Sequence, residues 1–557
     1  MAILDPADDL SLKTDSAART TSFLADAKSI RFLDSTLGLI LFAWFGFTGF
    51  QIAFSKLAWQ DWIAYALPSA NLVARGALTT PQLGSFAHFD RIWLFHGPLM
   101  GLGPAPFYYA FHIGRVPYLS GIVVGYLVNL LLITWFLRRT ISGHSWAASV
   151  LGSQAFLGHR HLMSAVYIQR YDILGLFAIS LAFAPVFTAS GRIPAWRWLF
   201  AALLPSIHPA LGPASLIWLV AASIDLRRRR TGPSEPGRPA WAGPALYLLA
   251  GLACLAWYIR PEGLKEQFFP YLRCMAHRNL VAVGPLTMFR VQAGFPYNLV
   301  SMSVSLTIAL TAVYLCVRPS RNAESRPVGV QMLKRLPAAV IVLFVLFDMV
   351  RRFQYLDYYV LGLAPALLFL ADTPVRRRVA LAMVLVLAAA NVVVSLRIDR
   401  QTLFHAQSLA DQDQEIALIV ELTRPGDRIV LGPPFVLSAA PPVLPGDRRV
   451  VAVSPQVWCL EDFDVPSYRE ELRRSGDVYL GERTWYDYAD SFDATDEVMG
   501  RTPKNPRMPL FEGATTREVS FEGRPIVVAR NPVRGRPTTT TPPLLPRSHA
   551  AGHRTGQ

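Results

Sequence analysis

The run VALAMVLVLAAANVVVSL, Val379–Leu396, carries no charge and is closed by arginine at both ends, Arg376 to Arg378 before it and Arg397 after it. Its length approaches the roughly 20 apolar residues that an α-helix needs to cross a bilayer. Thr36–Phe54 is a second such run. A soluble chain must hide such segments in a core, and here there are too many to hide. Of the 557 residues 52% are hydrophobic and 17% are charged, with a mean hydropathy of +0.30. The sequence predicts a polytopic α-helical membrane protein, with the lipid bilayer as its solvent.

The net charge is +15, a balance that by itself would suit nucleic acid. Its distribution argues against that partner. Arginine and lysine gather at the ends of apolar runs: Arg138-Arg139, Arg192 and Arg197, Arg227 to Arg230, Lys334-Arg335 and Arg376 to Arg378. Basic loops kept on the cytoplasmic side fix the orientation of a membrane protein. The four cysteines, Cys254, Cys274, Cys316 and Cys459, show neither metal-ligand spacing nor a disulfide framework. Residues 1–34 are polar and lack the pattern of a cleaved signal peptide, so they read as a cytoplasmic segment before an uncleaved first helix.

Letting the basic loops choose the side gives a topology for the plasma (inner) membrane. Spans are expected at 35–55, 117–137, 145–166, 171–189, 196–207, 208–225, 241–259, 297–317, 336–350, 355–371 and 378–397, about eleven in all. The stretch HGPLMGLGPAPFYYAFHIG, His96–Gly114, is ambiguous. Counting it as a span reverses every later loop and puts Arg227–Arg230 outside. It is therefore read as interfacial helices within an outer loop, 56–116. That loop, the turns around 160–172 and 351–357, and the loop 260–296 then face outward together.

Beyond Arg397 the composition turns polar. Residues 400–535 hold the β-like runs RIVLG, RRVVAVS, DVYLG, REVSF and RPIVVAR between turn signals such as Pro425-Gly426-Asp427. DQDQEIALIVELTR, Asp411–Arg424, has helical apolar spacing. These predict a small soluble α/β domain on the outer face, followed by a disordered tail, 536–557.

Asp61 follows the first apolar run, where its neighbours Trp59 and Trp62 suit the headgroup belt. A lone carboxylate at a helix end is equally explained by solvation. A second acid, Asp172 in YIQRYDILGLF, stands at the outer end of a later span. Two carboxylates at a membrane surface suit general-base chemistry or a divalent ion. Arg170 lies two residues before Asp172, and either a helix dipole or an Arg–Asp pair would also account for that acid. HFDRIWLFHGP holds His88, Asp90 and His96. His88 and Asp90 join Asp61 and Asp172 as metal-ligand candidates, on a spacing that is not diagnostic. Arg351 and Arg352 open RRFQYLDYYVLGLAPAL on the outer side, against the inside bias, and an anionic lipid phosphate would give them a reason to be there. The loop 260–296 adds Arg273 and Arg278. No phosphate-cradling glycine motif occurs.

In this order the features resemble the GT-C membrane glycosyltransferases, especially the protein mannosyltransferases that use dolichyl-phosphate-mannose and the aminoarabinose transferases (glycosyltransferase family 39-like). That family has an acid after helix 1, a segment like LVARGALTTPQLG, a Pro-Pro-Leu-Tyr-Tyr-like amphipathic stretch and a second acid after helix 3. Here these are Asp61, LVARGALTTPQLG itself, HGPLMGLGPAPFYYAFHIG and QRYDILGLF. LLPSIHPALGPASLIWL stands in the place of the family's Lys-Pro turn, and QYLDYYVLGLAPALL in that of its arginine-tyrosine-proline helix. The resemblance covers residues 35–397 and leaves the C-terminal segment out. Two positions depart from it: Trp62 where a second acid is common, and His96 where a basic residue is frequent.

The resemblance implies a GT-C-like fold and an activity outside the cytoplasm. A sugar would pass from a polyprenyl-phosphate donor to a glycan, lipid or protein acceptor, with inversion at the anomeric carbon. Asp61 is implied as general base, with Asp172 orienting the acceptor, the sugar or a divalent ion. Arg170, Arg351, Arg352, Tyr355, His96 and Arg278 are implied in substrate binding. No organic cofactor is called for, and a divalent metal ion is left open. A transporter or flippase, which would place charges mid-span in matched halves, is the alternative; the clustering of the notable charges at one face favours an enzyme. A polymerase or ligase of envelope polysaccharide stays as a further alternative.

Overall fold

The computed structural model describes residues 8–54, 62–83, 89, 91, 97–140, 145–158, 171–186, 193–230, 241–258, 264–269, 296–317, 328–351, 354–404, 412–432, 435, 443–452, 470, 472–486, 509–521 and 523–533. Its first helix, α1, runs Asp8–Phe54 over 47 residues, where the sequence places a helix from about 35. The polar leader holds no glycine or proline between Asp8 and Asp34, so nothing in it stops the helix. Among the described residues Ser29–Phe54 and the helix Arg115–Thr140 are long and apolar enough to cross a membrane.

The helices that follow are α2 Trp62–Arg75, α3 Pro98–Leu102, α4 Ala105–Phe111, α5 Arg115–Thr140, α6 Trp146–Leu157, α7 Asp172–Phe183 and α8 Ala195–Ile207. Next come α9 Gly212–Arg230, α10 Ala242–Tyr258, α11 Pro296–Val317, α12 Val328–Arg351, α13 Gln354–Leu367 and α14 Pro374–Phe404. Proline sets several boundaries: Pro194 precedes α8, and a 3-10 turn at Pro209–Leu211 separates α8 from α9. The ambiguous stretch 96–114 forms α3 and α4, of five and seven residues. Neither is long enough to span, because Pro98, Pro104 and Gly103 interrupt it.

Contacts between helices sort their ends into two groups. At one end Asp34 of α1 accepts hydrogen bonds from Ser145 Oγ and the Trp146 and Ala147 amides at the start of α6. There Phe136, late in α5, meets Phe369 edge-on at 5.4 Å, and Arg376 at the start of α14 pairs with Asp372 at 2.8 Å. Arg138 and Arg139 belong to this basic end. At the other end Tyr118 of α5 meets Tyr171, just before α7. Helix α13 runs parallel to α7, since Tyr359 packs on Gly175 and Gly362 on Leu176 and Ile179. The starts of α5, α7 and α13 and the ends of α8 and α12 therefore share one tyrosine-rich end.

Large apolar side chains also cover the outside of the helices. Leu39, Trp44, Leu131, Leu216, Leu249, Leu310 and Leu385 are exposed while their helices bury a second apolar face. A helix apolar on all sides suits a bilayer rather than water.

The C-terminal part is a helix and a six-stranded sheet of order β2-β3-β1-β4-β6-β5. Helix α15, Gln412–Leu422, precedes β1 Arg428–Leu431, and β2 is Val443–Leu444. The remaining strands are β3 Arg448–Ala452, β4 Val478–Glu482, β5 Thr515–Phe521 and β6 Arg524–Arg530. Strand β1 pairs in parallel with both β3 and β4. All five β-like runs read from the sequence fall on strands, and β2 is an addition. Gly426 and Gly446 take the left-handed φ values of +80° and +77° that these turns require. Arg448 donates to Thr423 Oγ1 at 2.8 Å and to the carbonyls of Thr423 and Val420, closing the carboxyl end of α15.

This unit docks on the tyrosine-rich end. Arg115, the first residue of α5, faces Glu415 of α15 at 3.9 Å, both side chains being buried, and β3 packs against the 3-10 turn Pro81–Leu83.

Candidate active site

The tyrosine-rich end is assembled around the start of α7. The Tyr171 ring lies 5.1 Å from that of Tyr118, edge-on, and its hydroxyl donates to the Tyr118 carbonyl at 2.7 Å. Glycines clear the space for it. A Cβ on Gly121 would stand 2.2 Å from the Tyr171 hydroxyl, and one on Gly103, between α3 and α4, 2.4 Å from its ring. On the other side of Asp172, the Ile173 carbonyl accepts from Asn129 Nδ2 of α5 at 3.0 Å. The backbone of Asp172 is thus held by both neighbours, and it is the first residue of α7.

Around this point stand α3, α8 and α13. Gly97, ahead of α3, lies so close to the end of α8 that a Cβ would meet the Ser206 carbonyl oxygen at 1.8 Å. His208, after α8, brings its ring 6.4 Å from that of Tyr359. Helix α2 is fixed beneath by a buried amide network, in which Asn71 Nδ2 donates to Gln82 Oε1 at 2.7 Å and to the carbonyls of Leu67 and Thr79. Ser69 donates to the Gly101 carbonyl of α3. The glycine in LVARGALTTPQLG has a physical reason: Gly76 ends α2 at φ +71° and donates to the Leu72 carbonyl.

Of the residues singled out by sequence, the structure brings Asp172, Arg351 and Tyr355 to one end. Arg351 closes α12 and Tyr355 opens α13, and the side chains of all three are not among those described. Asp61, His88, Asp90, His96, Arg170, Arg278 and Arg352 lie outside the described residues. Asp61 is the residue immediately before α2. Among the described residues no three metal-ligating side chains gather.

Several residues at this end escaped the sequence reading. Tyr108, Tyr118, Tyr171, Tyr359 and His208 are buried here. Burial pushes the Tyr108 phenol above its usual range, so it stays a protonated donor. On the same short helix Tyr109 and Phe111 are exposed, an apolar flank suited to a headgroup layer. Nothing in PAPFYYAF tells the buried Tyr108 from the exposed Tyr109 beside it.

With 13% sequence identity, the crystal structure of ArnT from Cupriavidus metallidurans bound to undecaprenyl phosphate superposes with a TM-score of 0.50, over 88% of this chain and 97% of that one. The fold is like that of ArnT. ArnT is an aminoarabinose transferase of GT-C fold. The likeness extends beyond residues 35–397 and so takes in part of the C-terminal unit, which the sequence resemblance left out. The apo crystal structure of the same ArnT is matched at a TM-score of 0.39 and 13% identity, over 89% of this chain and 98% of that one. No protein-family model and no curated protein sequence matches the chain.

Proposed function

We propose that this chain is an integral-membrane glycosyltransferase that moves a sugar from a polyprenyl-phosphate donor to an acceptor, with inversion, on the non-cytoplasmic face of the plasma membrane. One observation carries the reading. In a fold like that of ArnT, the start of α7 with Asp172 and the α12–α13 turn with Arg351 and Tyr355 meet at one end. The short helices α3 and α4 pack beside them. The arginine-rich ends of α5 and α14 lie at the opposite end, which the positive-inside rule assigns to the cytoplasm.

The chemistry follows from the groups. An acceptor hydroxyl is a weak nucleophile, and Asp61, ahead of α2, takes its proton as the new C1–O bond forms. The old C1–O bond breaks with its electrons going to the polyprenyl phosphate, whose growing charge Arg351 and Arg352 neutralise. Asp172 orients the acceptor or the sugar, assisted by Arg170. Tyr355, His96 and Arg278 complete the substrate contacts. The polyprenyl chain lies against the apolar helix surfaces, which is why an enzyme for polar groups is built into a bilayer.

The test is turnover of radiolabelled polyprenyl-phosphate sugars by the purified full chain. Wild type releases polyprenyl phosphate, and Asp61→Asn slows release by roughly 10²- to 10⁴-fold. Equal turnover by the two proteins removes Asp61 as the base. No release from any hexose or pentose donor removes the enzyme reading and favours a flippase.

A further inference from the structure

Two polar side chains beside the start of α7 make bonds that no orphaned group calls for. Asn129, in the interior of α5, is fully buried. Its Nδ2 donates to the Gly125 carbonyl at 2.8 Å and to the Ile173 carbonyl at 3.0 Å. Among the described residues its Oδ1 has no hydrogen-bond partner. A half-satisfied amide inside a helix of this kind is unfavourable, and leucine has nearly the same shape without it. Neither acceptor is in need, because only the last carbonyls of a helix lack a partner within it. Gly125 lies within α5 and Ile173 at the start of α7. The Tyr171 hydroxyl does the same, donating at 2.7 Å to the carbonyl of Tyr118 near the start of α5. Both bonds are additional links between α5 and the first turn of α7.

Their placement is what they share. Tyr171 and Ile173 flank Asp172, and both come down on one stripe of α5. That stripe is Gly121, Gly125 and Asn129, spaced four apart and so on one face of the helix. A Cβ on Gly121 would stand 2.2 Å from the Tyr171 hydroxyl, and one on Gly125 2.7 Å from Ile173 Cγ2. Glycine lets the two backbones approach, but contact of that kind has no direction and permits sliding. Hydrogen bonds are directional, and here one is made on each side of residue 172. With both in place the backbone of Asp172 has a set height along α5 and a set rotation about α7. Precision of that order matters to chemistry, since a group misplaced by about 1 Å can cost roughly 10²-fold in rate.

We propose that Asn129 and Tyr171 are positioning residues, which hold Asp172 in its working place through the backbone on either side of it. This rests on the glycosyltransferase reading, in which Asp172 orients the acceptor or the sugar. The stripe of α5 then acts on the reaction through α7.

The test is a pair of double-mutant cycles on the purified full chain. Asn129→Leu and Tyr171→Phe are each made with and without Asp172→Asn, and kcat and KM are measured with a radiolabelled polyprenyl-phosphate sugar that wild type turns over. Each single variant is expected to lower kcat roughly 5- to 50-fold and to leave the donor KM within about twofold of wild type. Neither lowers kcat further once Asp172→Asn is present. The thermal midpoint of Asn129→Leu stays at or above that of wild type, because the unpaired oxygen is gone. Unchanged kcat in either variant overturns the proposal, and a lowered midpoint beside it would make that residue purely structural. An equal fall of kcat in the Asp172→Asn background overturns it as well, by placing the effect elsewhere. If Asp172→Asn alone turns over donor as wild type does, the role of Asp172 and this clamp fall while the enzyme reading stands. If wild type releases no polyprenyl phosphate from any sugar donor, the glycosyltransferase reading falls with them.

Discussion

At one end of the helix set Asp34 accepts three hydrogen bonds from the first turn of α6; at the other the Tyr108 hydroxyl accepts and donates none among the described residues. The contrast extends to their surroundings. At the basic end Arg138 stacks over Trp146 at 4.2 Å and Arg139 over Trp135 at 5.0 Å, and Arg376 bonds Asp372 and the Leu370 carbonyl. Charges there meet a carboxylate or an aromatic ring within the protein. At the tyrosine-rich end the fit is steric, made by Gly97, Gly103, Gly121 and Gly175 standing against carbonyls and rings. Matched charges hold a fixed anchor, whereas glycine-cleared aromatic contacts bring backbone segments together and leave donors free for something else. The first arrangement suits a scaffold and the second a site.

The largest expected effect lies where the contrast is least clean, at a buried ion pair of the tyrosine-rich end. Arg115 and Glu415 are about 95% or more buried as side chains. Two buried charges cost desolvation, and removing one takes a counter-charge from the other, typically at about 3–5 kcal/mol. Arg115→Met or Glu415→Gln alone is therefore expected to destabilise the docking of the C-terminal unit strongly, and Arg115→Met with Glu415→Leu much less. Thermal unfolding of the four proteins gives the cycle. Additive losses would show that the two side chains do not act as a pair and that this end too is held by shape alone.

Next in size is Gly97→Ala. The new Cβ meets a backbone carbonyl, which cannot rotate away as a side-chain tip can. The cost is about 1–3 kcal/mol by the usual scale of overpacking, and it falls on the junction of α3 with α8. Gly251→Ala is the matched control, since nothing lies within 4 Å of its Cβ position and alanine favours a helix interior by about 0.5–1 kcal/mol. Donor turnover and thermal midpoint, measured together, should fall for the first and not for the second. Equal behaviour would mean that glycine clearance does not define the tyrosine-rich end.

How much of this was legible in the sequence differs between the same two ends. Helix limits such as 196–207, found at 195–207, were readable because prolines bracket apolar runs, and the strands because short β-branched runs stood between turns with glycine. The start of α1 was not readable. A polar stretch without breakers carries no signal for where a helix begins or ends. The ends that meet could be deduced from charge, because Arg138, Arg139 and Arg376 to Arg378 mark one side. What charge could not reveal is the interior of the site. Tyr108 and Tyr171 look like interfacial aromatics in the sequence, and only the structure shows that both are buried, Tyr171 against Gly103 and Gly121, distant in the chain. The same holds for His208, which the sequence offers only within LLPSIHPALGPASLIWL and whose ring comes to 6.4 Å from that of Tyr359 in the structure.

The smallest effect is expected at the basic end, from Asp34→Ala. Helix α6 has two caps at its start: Ser145 Oγ accepts from the Ala148 amide at 3.1 Å, while Asp34 accepts from the Trp146 and Ala147 amides. Removing the carboxylate exposes two amides but leaves Ser145 in place, so the loss should be about 1 kcal/mol, as for an ordinary cap. Asp34→Asn keeps an acceptor oxygen and should lose less. Because this end only anchors, the thermal midpoint should drop while the rate of donor turnover by the folded protein stays at the wild-type value. A variant of Asp34 that keeps its midpoint and loses turnover would reverse the assignment of the two ends, placing chemistry where the charges are matched.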